Sequence, residues 1–202
     1  MTLRDLSYAP IRVAARTDGL VAALSLLHET TGTVGYGPEG HVIVPRGLIE
    51  ADPEAEVIDT IELHGRLLYG LHCPGRSGQA PEEWTLGLVW LRYGLSEGLL
   101  ESCMTYLGGR TVGNSPLLLQ QMIKGQLAEA VIAHLEVLTA LEDAHPGDLD
   151  ESALAALHQR ITRTDRGLLR LLGGSSLCAD GPGQAVHISE LMADAYTKRQ
   201  TT

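Results

Sequence analysis

The apolar positions divide the chain near residue 80. Beyond it they recur every three to five residues, with Trp84, Leu88, Leu91, Leu95, Leu99 and Met104 forming one such series. Pro81-Glu82-Glu83 opens this helix, because proline suits a first turn and carboxylates suit its positive end. Gly108-Gly109 stops it. Ser115 followed by Pro116 reads as an N-cap with proline at the next position, so a second helix is expected from Ser115 to about His145, roughly 45 Å long. Pro146-Gly147 ends it. A third helix is expected from about Asp150 to Leu172, stopping at Gly173-Gly174, and a fourth from about Gln184 to Lys198. Helices joined by short loops pack as an antiparallel bundle.

The first 80 residues are shorter-waved. Ile11-Arg12-Val13-Ala14-Ala15 alternates weakly and predicts a strand. Leu20 to His28 is a short helix or a buried strand, which periodicity does not separate. Thr31 to Gly40 is turn-rich, and His41-Val42-Ile43-Val44-Pro45 and Glu56 to His64 predict strands. Arg66 to Tyr69 extends the second or forms another. Cys73 to Ala80 has the composition of a linker. The expected fold is mainly α: a C-terminal antiparallel four-helix bundle over residues 81–202, preceded by a small α/β segment over 1–80. The second long helix carries apolar residues on more than one stripe: Leu118, Leu119, Ile123, Leu127, Val131, Ile132, Leu135 and Leu138. One stripe suffices for a bundle core. The other is expected to bury against another chain, most simply a copy related by a two-fold axis.

Composition narrows the classes. Of 202 residues, 44% are hydrophobic and 20% charged, which argues for a folded chain. A net charge of −10 without a Lys/Arg cluster excludes nucleic acid as a partner. Cys73, Cys103 and Cys178 lie far apart with no CxxC, so neither a disulfide scaffold nor a thiolate zinc site is expected, and a reducing, cytoplasmic compartment fits. MTLRDLSYAP has charges and a proline where a signal peptide has an apolar run. No run of apolar residues is long enough for a membrane span.

Local chemistry is sparse. His64 and His72 lie near Cys73, but no second pair completes a metal site, and His134, His145, His158 and His187 fall singly along the helical region. They read as surface or core-edge residues. Nothing local supports a Cys–His nucleophile. Glu97 and Glu101 are one turn apart and read as a solvated face. The glycine pairs say more. Gly108-Gly109-Arg110-Thr111-Val112-Gly113 joins two helices, and Leu171-Leu172-Gly173-Gly174-Ser175-Ser176 ends a third. Glycine lets a backbone approach a phosphate, and arginine can clamp one. Neither string fits GxGxxG or GxxxxGK[ST], so as bare motifs they read as helix stops.

Taken in order, these motifs form a recognisable series. A long helix ends in a Gly/Arg loop. A helix carrying Gln120-Gln121 follows, then a helix ending in RLLGGSS, then HISELMADAY. Over residues 81–196 this resembles the C-terminal helical domain of the acyl-CoA dehydrogenase family, whose pattern QxLGGxG…xxxLxRDAx the last two strings approach. The resemblance implies a flavoenzyme fold that oxidises an acyl thioester with FAD and a carboxylate base. It also implies that the bundle of one protomer reaches the FAD pyrophosphate and adenine of a neighbour. Arg110, Thr111, Gln120, Arg170, Gly173 and Gly174 then stand at the cofactor-binding positions. Glu83 stands within one residue of the place where one branch of the family carries its catalytic glutamate.

The chain departs from that pattern. Residues 1–80 are too few for a whole middle β-domain, and the N-terminal helical domain is missing. The loop reads Arg110-Thr111-Val112-Gly113, one residue short and without an aromatic, and Arg170 replaces the usual glutamine. The glutamate that another branch carries after the last helix has no counterpart. The expectation is a shortened relative that holds no FAD by itself and completes, in trans, the FAD/acyl-thioester site of a full-length dehydrogenase subunit. The alternatives are flavin-free reuse of the bundle to bind, isomerise or cyclise an acyl or polyketide-like intermediate, and a structural dimerisation module.

Overall fold

The computed structural model describes residues 8–51, 54–78, 80–178 and 181–196. The protein is mainly helical with a small sheet. Its helices are α1 (Ala9–Thr17), α2 (Leu20–Thr31), α3 (Glu82–Gly108), α4 (Gln121–Glu142), α5 (Glu151–Leu172) and α6 (Gly183–Tyr196). Between α2 and α3 lie β1 (His41–Pro45), β2 (Glu56–Leu63) and β3 (Arg66–His72), and between α3 and α4 the short pair β4 (Thr111–Val112) and β5 (Ser115–Pro116).

The three longer strands form an antiparallel sheet in the order β1-β3-β2. His64 and Gly65, both at positive φ (49° and 74°), make the two-residue turn that joins β2 to β3. Arg66 to Tyr69 therefore belongs to a separate strand. Val57 and Ile58 on the outer strand are exposed.

Two expected elements differ. Residues 11–15 are helical, not extended: Ile11 and Ala15, one helical turn apart, are the buried pair of α1. A five-residue window cannot separate period two from period 3.6 when one polar residue interrupts it. The second long helix starts at Gln121, not Ser115. Thr111 pairs with Pro116 and Val112 with Ser115 across Gly113 at φ 59°, and the Leu117 amide donates to the Arg110 carbonyl at 2.7 Å. The Ser-Pro signal is thus consumed by a hairpin. The expected starts near 81 and 150 hold: α3 begins at Glu82, and Asp150 caps α5 by accepting from the Ala153 amide at 2.7 Å. The expected end of the last helix at Lys198 lies outside the described residues.

Side-chain contacts set the directions of the last four helices. Arg92 and Ser96 of α3 meet His158 and Asp165 of α5, so these two run the same way. Trp84, at the start of α3, donates to Tyr196, at the end of α6, so α6 runs opposite. Leu127, early in α4, shares a cluster with Leu107 and Leu172, late in α3 and α5, so α4 also runs opposite. The core continues across residue 80: Ile11, Leu24 and Leu27 share one cluster with Trp84, Leu88 and Leu91. α3 is apolar all round in its first half because α1, α2, α5 and α6 cover it.

Gly94 and Gly98 let α1 lie against α3. A Cβ at Gly94 would meet the Arg12 carbonyl oxygen at 2.3 Å. Beside this contact Arg12 grips Glu97 with two bonds of 2.7 Å, and Arg16 pairs with Glu101. Glu97 is therefore a half-buried partner of α1, while Glu101 pairs with Arg16 and stays solvated, as expected. On α4, Leu127, His134, Val137 and Leu141 face inward, while Met122, Val131, Ile132 and Leu135 remain exposed, the last two at 56% each. No helix among the described residues is long and apolar enough to cross a membrane.

Candidate functional site

The sequence-derived residues fall at two places. Arg110, Thr111, Gln120, Arg170, Gly173 and Gly174 are all exposed. Arg170 lies in the last turn of α5, and the others follow the C-terminal ends of α3 and α5 or precede α4; these ends meet in the cluster of Leu107, Leu127 and Leu172. The structure therefore brings them to one end of the helices. The Arg110 guanidinium stacks on the Tyr106 ring, 4.3 Å from its centroid. Such an exposed cation–π contact contributes about 0.5–1 kcal/mol and leaves the outer N–H groups to solvent. α4 starts beyond the hairpin, so the positive end of that helix does not directly follow Arg110, as an N-terminus at Ser115 would have required.

Gly173 caps α5 at φ 56°, ψ −139°, a conformation open to glycine but strained for other residues. Among the described residues, a Cβ at Gly173 or Gly174 would meet nothing within 4 Å. Arg170 and Arg163 edge a shallow cavity of about 320 Å³ between α4 and α5, with Gly167 between them.

Glu83 lies at the other end of α3. That helix has 27 residues, about 40 Å at 1.5 Å per residue, so Glu83 is far from Arg110. It is half-buried and faces Tyr8, whose hydroxyl is pushed up to about 12 by burial first and by the Glu83 charge second.

Sequence reading missed a polar constellation inside the helices. Arg92 is 0% exposed. Its guanidinium donates to Ser189 Oγ (2.9 Å), His158 Nδ1 (3.0 Å), the His158 carbonyl (3.2 Å) and Thr162 Oγ1 (2.8 Å). One turn on, Ser96 Oγ lies 2.5 Å from Asp165 Oδ1 and 2.7 Å from His134 Nε2. Asp165 is 1% exposed, and burial pushes its carboxyl up to about 7 against the opposing pull of the Ser96 hydrogen bond and Arg92. Burial also lowers Arg92, to about 10, and holds both histidines below their ordinary value, His158 well below.

A hydroxyl has one proton to give. When Asp165 is ionised, Ser96 donates to it and accepts from His134 Nε2–H. When Asp165 is protonated, the chain can run in reverse, from carboxyl to hydroxyl to imidazole. The available signal was two polar residues, Arg92 and Ser96, one turn apart in an otherwise apolar stretch. Their partners come from three other helices, which no local pattern links.

No protein-family model matches the sequence, and no curated protein matches it. Solved structures do share the fold. A variant of the Tcur3481-Tcur3483 steroid ACAD matches at TM-score 0.53 and 14% identity, over 78% of this chain and 52% of that one. Butyryl-CoA dehydrogenase from Megasphaera elsdenii matches at TM-score 0.53 and 13% identity, over 72% and 46%. An acyl-CoA dehydrogenase from Geobacillus kaustophilus matches at TM-score 0.53 and 12% identity, over 78% and 54%. The chain has an acyl-CoA dehydrogenase-like fold and spans about half the length of these structures.

Proposed function

We propose that this chain is an acyl-CoA dehydrogenase-like subunit whose helices, forming a four-helix bundle, complete the FAD and acyl-thioester site of a flavin-dependent dehydrogenase in trans. One observation carries this: Arg110, Arg170 and the Gly173-Gly174 turn are exposed at one end of the helices, with nothing among the described residues packed over the glycines. That donor set fits a pyrophosphate. A guanidinium stacked on Tyr106 is held in place yet keeps outward donors, and a glycine backbone permits close approach. The set forms a rim rather than an enclosed pocket, so the remaining wall belongs to a second chain.

In this arrangement Arg110 and Arg170 bind phosphate charge, Thr111 and Gln120 offer polar contacts beside them, and Gly173 and Gly174 admit the ligand. FAD, when bound, supplies the hydride acceptor. Glu83, about 40 Å away along α3, is outside the reach of the same cofactor. It remains the candidate base of a separate site. The exposed Val131, Ile132 and Leu135 face of α4 offers the surface on which the partner or a second copy seats. The paired name of the Tcur3481-Tcur3483 structure is a precedent for a two-component arrangement on this fold.

The test is spectroscopic. The chain purified alone should lack the visible flavin band, and it should gain flavin only together with a full-length dehydrogenase subunit. Arg110→Ala should weaken FAD retention in that complex by about 1.5–3 kcal/mol, the range for a hydrogen bond to a charged group. Stoichiometric flavin on the isolated chain, or equal retention by Arg110→Ala, would refute the proposal.

A further inference from the structure

At the end of α3 opposite the arginine rim lies a cavity of about 450 Å³, within the size range of small-molecule sites. Tyr36, Leu86, Leu149, Leu154 and Tyr196 supply apolar walls. Two side chains that carry polar atoms are almost wholly buried in the wall, Tyr36 at 2% and His158 at 4% exposed, and the histidine has a ring nitrogen whose role the structure defines. Its tautomer is fixed by Arg92. A guanidinium only donates, and it donates to Nδ1 at 3.0 Å, so Nδ1 is the acceptor and the ring proton sits on Nε2. That Nε2–H makes no hydrogen bond among the described residues. Burial and the Arg92 charge keep the ring well below its ordinary pKa, so the donor is neutral at physiological pH.

The edge of the cavity is acidic. Glu82, Asp150 and Glu151 are exposed there, and no lysine or arginine lines it among the described residues. A carboxylate or phosphate entering would meet repulsion, with no cationic lysine or arginine there to offset it. A neutral oxygen meets no such penalty, and it can accept from an N–H that has no partner among the described residues.

We propose that this cavity binds a small, uncharged, largely apolar molecule through one carbonyl oxygen that accepts from His158 Nε2–H. The site is independent of the flavin rim, which lies at the far end of α3.

Three probes of one skeleton test it on the full chain: α-tetralone, tetralin and tetralin-α-carboxylate. Heteronuclear NMR of histidine-labelled protein follows His158 Nε2–H. α-Tetralone should shift that signal saturably and bind about 3- to 10-fold tighter than tetralin, the span of one net neutral hydrogen bond. The carboxylate should bind more weakly than the ketone. His158→Asn leaves an acceptor for Arg92 near the Nδ1 position and places no donor at the Nε2 position, since its own shorter amide N–H group ends before that point, so the advantage of the ketone over tetralin should fall. Leu154→Trp fills the cavity without touching Arg92 and should abolish binding of both, which keeps the site testable if His158→Asn does not fold. The proposal is overturned by no binding at millimolar probe or by equal affinity for ketone and tetralin. Carboxylate binding as tight as the ketone overturns it too, as does a ketone affinity that survives Leu154→Trp.

Discussion

Asp165→Asn tests whether a core carboxyl is held protonated. In the folded chain Asp165 is 1% exposed, accepts from Ser96 at 2.5 Å, and titrates near 7 rather than 3.8. A raised folded-state pKa means that the unfolded chain loses this proton first as pH rises. The stabilisation is therefore fully present below pH 4 and is lost progressively up to about pH 7, after which the curve flattens. Each pKa unit is worth about 1.4 kcal/mol, so from pH 5 to pH 8 the wild type should lose about 3 kcal/mol through this residue. Asparagine keeps an oxygen for Ser96 and does not titrate, so the variant should lack that slope.

Urea unfolding followed by circular dichroism at pH 5 and pH 8, on both proteins, isolates the residue, because the other titrating groups cancel in the difference. The opposite assignment is an ionised Asp165 serving as counter-charge to Arg92, which makes no direct carboxylate bond among the described residues. In that case asparagine would leave a buried guanidinium uncompensated and cost about 3–5 kcal/mol at both pH values. Parallel pH curves for wild type and variant would refute the protonated carboxyl.

Gly94→Ala should destabilise the fold by about 1–3 kcal/mol despite alanine's higher helix propensity, because the added methyl meets the Arg12 carbonyl oxygen at 2.3 Å and neither backbone can yield. A thermal melt at or above that of wild type would show that α1 does not dock there. The outward face of α4 should hold another chain: Ile132→Lys with Leu135→Lys should reduce the mass seen by light scattering to that of one chain while leaving the helical dichroism unchanged. A single-chain mass for the wild type would refute it.

What the sequence determined by itself was local. The starts of α3 and α5 were legible because capping is an interaction between residues three or four apart: proline and two carboxylates at 81–83, and Asp150 reaching the Ala153 amide. The end of α5 was legible because a positive φ at Gly173 restricts the residue type. The doubled apolar stripe of α4 was legible from composition at helical spacing, and its second face is exposed as that pattern required. The order of the Gly/Arg and LLGGSS motifs pointed to the fold that solved structures share at 12–14% identity.

Only the tertiary structure decided the rest. Residues 11–15 became helix because Ile11 and Ala15 have a surface to bury against, and that surface was made by glycines more than 70 positions away. Ser115-Pro116 lost its cap role because a strand partner lay across Gly113, and pairing with it satisfied the same backbone groups that a helix start would have used. The polar core was invisible because its bonds join Arg92 and Ser96 to residues 38 to 97 positions away on three other helices. Each histidine, serine and aspartate looked solitary in the chain. Burial made them a network, since a polar group taken out of water must find its partner wherever the fold has brought one.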